Sequence, residues 1–222
     1  MARAAKKVFD QVKASAAPDT PIIWSEYNAT YMNQTEVTDS AFMGPWLANN
    51  IRESDGLTTM MSYWCLSDVF EEQGIVKTPF YGGYGLVAER HLPKSAFWAF
   101  DLLHELGDQR LSINSENALA TKRKDGTLVI ALWNYAEPGQ SVPDKSFRLA
   151  VKAKASTYRL RFIDPTHGSG LKAWKDIGSP ISPTPLQAQM IQKGAAPDPP
   201  QDHPIADPIT LVGQGLAVVE LQ

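Results

Sequence analysis

Pro21-Ile22-Ile23-Trp24-Ser25-Glu26-Tyr27-Asn28 is the stretch that decides how this 222-residue chain is read. Its apolar start is too short for a helix and suits a buried strand, while a carboxylate and an amide gather at its C-terminal end. Upstream, Ala5, Val8, Phe9 and Val12 recur at helical spacing among Lys6, Lys7, Asp10 and Lys13. Ala17-Pro18-Asp19-Thr20-Pro21 stops that helix, because proline cannot sit in a helix interior. Downstream, Phe42, Trp46, Leu47 and Ile51 line one face of a helix expected over 37–55, capped by Thr38 or Asp39 and kinked at Gly44-Pro45. The run LTTMMSYWCLSDVF, 57–70, reads as a second apolar strand, and a glycine-rich loop follows it through Gly85. KSAFWAFDLLHELG, 94–107, is an amphipathic helix with Gly107 as its expected C-terminal cap. Helix, strand, helix, strand, loop and helix form the alternation of a parallel α/β array.

Beyond residue 108 the pattern changes. Ala118–Arg123, Leu128–Trp133, Phe147–Val151, Tyr158–Ile163 and Leu216–Leu221 are short strand-like runs separated by turn residues, with Lys124-Asp125-Gly126 as a hairpin turn. The expectation is an α/β segment over 1–108 and an antiparallel β-sandwich over 109–222. A proline-rich, irregular excursion is expected at 179–208, with a helical piece at Leu186–Gln192.

Composition narrows the function classes. Lys+Arg 21 against Asp+Glu 24 gives a net charge of -3, so no broad basic field invites nucleic acid or anionic lipid. No run approaches the ~18 apolar residues of a membrane helix. The N-terminal residues lack the apolar core of a secretory signal, and a soluble cytoplasmic protein is expected. The single cysteine, Cys65, reads as a buried strand residue and permits no internal disulfide. His91, His104, His167 and His203 show no metal-ligand spacing, so neither metal nor cofactor is expected. His91 fits a structural role better than a place in a site, and Arg159 and Arg161 alternate with apolar residues as a solvated strand face would.

Three strings could carry chemistry. Glu26, at the end of a buried strand beside Asn28, stands where α/β barrels put catalytic groups. A glycosidase needs a carboxylate there to attack an anomeric carbon. A strand-end Glu making a structural hydrogen bond fits the same pattern. Tyr63-Trp64-Cys65-Leu66-Ser67-Asp68-Val69-Phe70-Glu71-Glu72 gathers aromatics that could stack on sugar rings and carboxylates that could accept hydroxyl hydrogen bonds. A packed Tyr-Trp pair with solvated glutamates is its plainer reading. Tyr81-Gly82-Gly83-Tyr84-Gly85-Leu86 is no phosphate cradle, since no Lys-Ser/Thr follows; its glycines permit a tight loop and close backbone approach.

Taken together, SEYN, MSYWCLSDVFEE, FYGGYGL and LPKSAFWAFDLLHELG, over about residues 18–110, resemble the C-terminal part of glycoside hydrolase family 39, its bacterial β-xylosidases above all. The resemblance implies the last two strand–helix units of a (β/α)₈ barrel followed by a β-sandwich. It implies an exo-acting retaining glycosidase for small or aryl glycosides, β-xylosides first and β-glucosides in second place. Glu26 then resembles the nucleophile, Trp64 the aromatic of the sugar subsite, and Glu71 and Glu72 the carboxylates that bind sugar hydroxyls. Asp68 matches an acidic position of the same motif, as a sugar ligand or a structural group, and Asn28 helps to bind sugar or orient the site. The family's Asn-Glu motif, which supplies the general acid/base, has no counterpart: no Asn-Glu dipeptide occurs in the sequence. Glu71 or Glu72 is the expected substitute acid, and a non-catalytic sugar-binding or structural remnant is the competing expectation. Since a full barrel takes about 250 residues, an open strand edge is expected, covered in a homo-oligomer.

Overall fold

A computed structural model describes residues 1–70, 74–151 and 155–222 of the chain. In it the first helix, α1 (Ala2–Lys13), ends before Pro18, and the apolar run that follows forms β1 (Ile23–Tyr27). The chain then makes a π-helical turn, Thr35–Asp39, before α2 (Met43–Ser54). The helix expected over 37–55 therefore starts later, and Gly44-Pro45 lies in its first turn instead of kinking it. A proline is well placed there, because its missing N–H would have no partner anyway. Thr38 and Asp39 cap nothing; both are fully buried in the π turn. Gly44 lets α2 lie flush on the C-terminal half: a Cβ there would sit 3.2 Å from both Ile163 Cδ1 and Leu216 Cβ.

The second apolar strand, β2 (Met60–Tyr63), is shorter than its apolar run. It pairs with β1 in parallel, Ile23 opposite Met60 and Trp24 opposite Met61. Among the described strands this is the one parallel ladder, and no barrel closes. A small hairpin, β3 (Val87–Ala88) and β4 (Leu92–Pro93), turns through Glu89–His91 and leads into α3 (Ser95–Leu103). Gly107 does not cap α3, whose C-cap is His104. Its role is close approach: its N–H donates to Thr121 Oγ1 at 2.8 Å, and a Cβ would lie 2.3 Å from the Lys122 carbonyl.

The C-terminal half contributes β5 (Gln109–Leu111), β6 (Ala118–Lys122), β7 (Leu128–Trp133), β8 (Lys145–Phe147), β9 (Thr157–Ile163), α4 (Gly170–Asp176), α5 (Pro185–Ala195), β10 (Gln201–Pro204), β11 (Ile209–Leu211) and β12 (Leu216–Leu221). Six of the strands form one antiparallel sheet in the order β10-β9-β12-β7-β6-β5. The Lys124-Asp125-Gly126 turn joins β6 to β7 as expected, with Gly126 at φ 95 and Asp125 Oδ1 accepting the Thr127 N–H. On one face of the sheet, Ala118, Leu132, Tyr158, Ala217 and Val219 pack beneath the two-stranded ribbon of β8 and β11. Among the described residues, the second layer of the expected sandwich is thus two strands wide. The other face, with Leu119, Val129, Ala131, Trp133 and Val218, packs on α2 and α3, so the main core runs across residue 108 without a break.

The proline-rich excursion is more regular than expected. Thr184 and Gln187 form a reciprocal capping box at the start of α5, with Pro185 in its first turn. Residues 201–204 add β10 to the edge of the large sheet, a position that tolerates Pro204. Helices α4 and α5 enclose a smaller core with Phe80, Ala88 and Leu92. Arg161 is no solvated strand residue, for it crosses to α3 and pairs with Asp101 at 2.6 Å; Arg159 pairs with Asp202 at 3.1 Å.

Candidate active site

The parallel pairing of β1 with β2 slips by one residue between Trp24 and Tyr27: three steps on β1 match two on β2. The extra residue is a β-bulge at Ser25-Glu26, a device that re-aims a side chain at the end of a strand. Tyr27, just beyond it, is buried against Trp46 and Tyr63 with ring centroids 6.1 and 5.8 Å away. That burial pushes its hydroxyl up to about 12. The buried ring anchors the strand end, while Glu26 stays exposed at the mouth of a cleft of about 410 Å³.

Glu26, Asn28, Thr30, Tyr31, Trp64 and Tyr84 line this cleft. Among the described residues Glu26 is its only carboxylate, and no hydrogen bond or ion pair holds the Glu26 side chain. The plainer reading of Glu26 as a structural hydrogen-bonding residue therefore finds no partner here. Trp64 lies just past β2, its N–H donating to the Tyr27 carbonyl at 2.9 Å and its ring meeting the Phe70 ring edge-on at 5.4 Å. The peptide between Trp64 and Cys65 is cis.

Asn28 works inside the wall of the cleft. Its side-chain N–H groups donate to the carbonyls of Trp64 and Tyr84, and its Oδ1 accepts the Ala29 N–H at 2.7 Å. With both donors and the oxygen engaged, it ties the ends of β1, β2 and the glycine loop together. Tyr84 completes that wall, its hydroxyl donating to the Tyr31 carbonyl at 2.6 Å.

Asp68 does not reach the cleft. It is 1 % exposed, and its carboxylate lies between the Lys94 ammonium (3.0 Å) and the Gly85 N–H (2.6 Å). The contacts it makes are those of a structural group, and it is not among the residues that line the cleft. Lys94, also wholly buried, meets a second carboxylate, Asp39, at 2.6 Å. Burial lifts Asp39 to about 6, against the pull of Lys94 and with the charge of Asp68 adding to the lift. One ammonium cannot fully compensate two buried carboxylates, so one of them holds its proton more tightly. Burial alone draws Lys94 downward, but Asp39 and Asp68 outweigh it and hold the ammonium above its ordinary value.

The glycines of YGGYGL serve the close approach expected of them. A Cβ at Gly83 or Gly85 would stand 2.4 Å from atoms of Asp68, and one at Gly82 would stand 2.3 Å from the Gln34 backbone nitrogen. Sequence reading missed Tyr84 as a cleft wall, although the string was in view, and missed Lys94 altogether. The signal for Lys94 is a lone lysine opening an otherwise apolar helix. Glu71 and Glu72 lie outside the described residues. Cys65 is half-buried beyond the end of β2, and His91 stands exposed in the turn before β4, away from the cleft. Among the described residues no cluster of three or more His, Cys, Asp or Glu could hold a metal, and no helix is long and apolar enough to cross a membrane.

Comparison with known proteins bears on the same residues. The sequence profile of the glycosyl hydrolases family 39 matches residues 1–210. A β-xylosidase of Geobacillus stearothermophilus is 33% identical over 182 residues, covering 81% of this chain and 36% of that protein. A β-xylosidase of Caldicellulosiruptor saccharolyticus is 23% identical over 168 residues, covering 72% and 34%. The solved structure of a family 39 β-xylosidase from Caulobacter crescentus superposes with a TM-score of 0.83 at 25% identity, over 100% of this chain and 48% of that one. The chain therefore spans about a third to a half of the length of these relatives.

Proposed function

The chain belongs to glycosyl hydrolase family 39, and from that premise we propose that it acts on β-xylosides, with Glu26 as the nucleophile of a retaining mechanism. The observation that carries the reading is the unpartnered, bulge-directed carboxylate of Glu26 in one cleft with Trp64 and Tyr84. A Glu26 oxygen bonds to the anomeric carbon as the bond to the leaving oxygen breaks. Water then attacks the same carbon and releases the carboxylate, so the configuration is kept. Trp64 offers an aromatic face for the sugar ring. Aryl β-glucosides, larger by one hydroxymethyl group, are the second substrate class.

A retaining site uses a second carboxyl ~5–5.5 Å from the nucleophile, and general acid help is worth ~10²–10⁴-fold. Glu71 or Glu72 is our candidate for it, because they are the next two residues in the sequence after Phe70, whose ring touches Trp64. Ile23 and Met60, opposite each other on the open sheet and each 55 % exposed, support an assembly that covers this face. A homo-oligomer is the form we propose.

One observation favours a second reading, a sugar-binding remnant without turnover: among the described residues, no second carboxylate lines the cleft. Incubation with a 2-deoxy-2-fluoro-β-xyloside bearing a dinitrophenyl leaving group separates the two. That leaving group departs with little acid help, and the fluorine slows breakdown of the glycosyl-enzyme. The expected outcome is one added sugar by intact mass, mapped to the peptide of Glu26 and absent in Glu26→Gln. Sugar binding by calorimetry without any adduct would favour the remnant.

A further inference from the structure

We propose that Lys94 is a positioning residue for the cleft: held between Asp39 and Asp68, it fixes the 82–85 loop against the segment after β2, and so sets Tyr84 and Trp64 as walls. The inference rests on reading the cleft as a sugar site, and it extends that reading to a residue that never touches the sugar.

The contacts are directed. The Lys94 ammonium donates hydrogen bonds to Asp68 Oδ2 at 3.0 Å and to the Gly83 carbonyl at 2.7 Å, and it forms an ion pair with Asp39 Oδ1 at 2.6 Å, an oxygen that takes no aligned hydrogen bond. The same carboxylates take the next groups of the loop: Asp39 Oδ2 accepts the Gly82 N–H and Asp68 Oδ1 the Gly85 N–H, both at 2.6 Å. Two amides and one carbonyl within four residues are therefore held by side chains from three elements: the π turn, the segment after β2 and the start of α3. Tyr84 lies inside that clamped span. Its carbonyl receives the Cys65 N–H at 3.2 Å and the Asn28 side chain at 3.0 Å, which carries the constraint on to Trp64.

A cluster kept only to hold the core together would be an expensive choice. Desolvating one ammonium and two carboxylates is costly, and apolar groups of similar volume often serve as well. Directed charge-assisted hydrogen bonds to a glycine backbone, which has no side chains to pack, are what apolar groups cannot supply.

The test compares the unmodified chain with Lys94→Met and with the near-isosteric Asp39→Asn, which guards against a Lys94→Met chain that does not fold. Amide hydrogen exchange at Cys65, Gly82 and Gly85 is read beside exchange in β7 and β12. The expected result is exchange at those three amides about tenfold or more faster, as loss of a charge-assisted hydrogen bond implies, with β7 and β12 little changed. Affinity for a xyloside inhibitor falls alongside, while Glu26 labelling at saturating fluoroxyloside keeps its rate. Uniform acceleration across the chain, or none at the three amides, would overturn the role of Lys94. A wild-type chain that binds no xyloside, yet shows the local exchange change in the variants, would keep the positioning role and reject the sugar reading.

Discussion

Strands β7 and β12 pair over five positions and are covered on both faces, by helices on one side and by a strand ribbon on the other. Strands β1 and β2 pair over three positions, are covered by α2 and α3 on one side, and leave Ile23 and Met60 in water on the other. Both open on apolar residues: Leu-Val-Ile-Ala-Leu-Trp in β7, Ile-Trp-Ser-Glu-Tyr in β1. What differs is whether the chain itself supplies the partners. An antiparallel sheet joined by hairpins finds its neighbours within a few residues, whereas a parallel one needs long crossovers and many units to enclose its inner face. A strand's composition therefore states its appetite for burial, and topology decides whether that is met.

The sharpest way to break this contrast is Trp133→Ala in the covered sheet. It removes a wholly buried indole and is expected to cost ~3–5 kcal/mol, read by urea unfolding. A cost below ~1 kcal/mol would mean that the large sheet is not the stable centre of the molecule.

A smaller effect comes from Asp39, beneath the open region. Its folded pKa is raised from the ordinary 3.8 to about 6, so the folded chain binds this proton more tightly than the unfolded one. The stability it contributes is fully present below about pH 4 and is lost as pH rises to about 6. Unfolding free energies between pH 4 and 7 are expected to show that decline, and Asp39→Asn to reduce it. An unchanged slope in the variant would place the titration elsewhere.

The smallest effect is expected from Ile23→Ser with Met60→Ser. On an uncovered face the pair is expected to change stability by within about 0.5 kcal/mol at low concentration. The change is expected in sedimentation, where the double variant remains smaller than the parent if an oligomer covers this face. A large loss of stability at every concentration would mean that something within the chain already shields these side chains.

The features that could be read along the chain are those with local causes. Glu26 at the end of an apolar run, the Lys124–Gly126 turn and the glycines of the 82–85 loop each follow from a few neighbouring residues. Two local signals were misread because tertiary contacts reassigned them. Gly107 looked like a helix cap but serves the approach to Lys122, and Gly44-Pro45 looked like a kink but opens α2. Strand β10, Gln201-Asp202-His203-Pro204, carries no apolar alternation, and only its hydrogen bonds to β9 make it a strand. The Lys94 cluster joins residues 26 and 55 positions apart, and no periodicity reports such a meeting. The bulge at Ser25-Glu26 was equally hidden, since it exists only relative to β2.

Gly44 gives the β-rich half a part in the alignment of the cleft. Helix α2 rests so closely on Ile163 and Leu216 that a Cβ at Gly44 would press to 3.2 Å from each, and two residues on, Trp46 meets the Tyr27 ring beside Glu26. The height of the sheet surface is thus transmitted, through one helix, to the strand end that carries the carboxylate. Side-chain volume at 163 or 216, outside the cleft lining, becomes a fine adjustment of where Glu26 stands, so selection on the cleft can act through residues that look like ordinary packing.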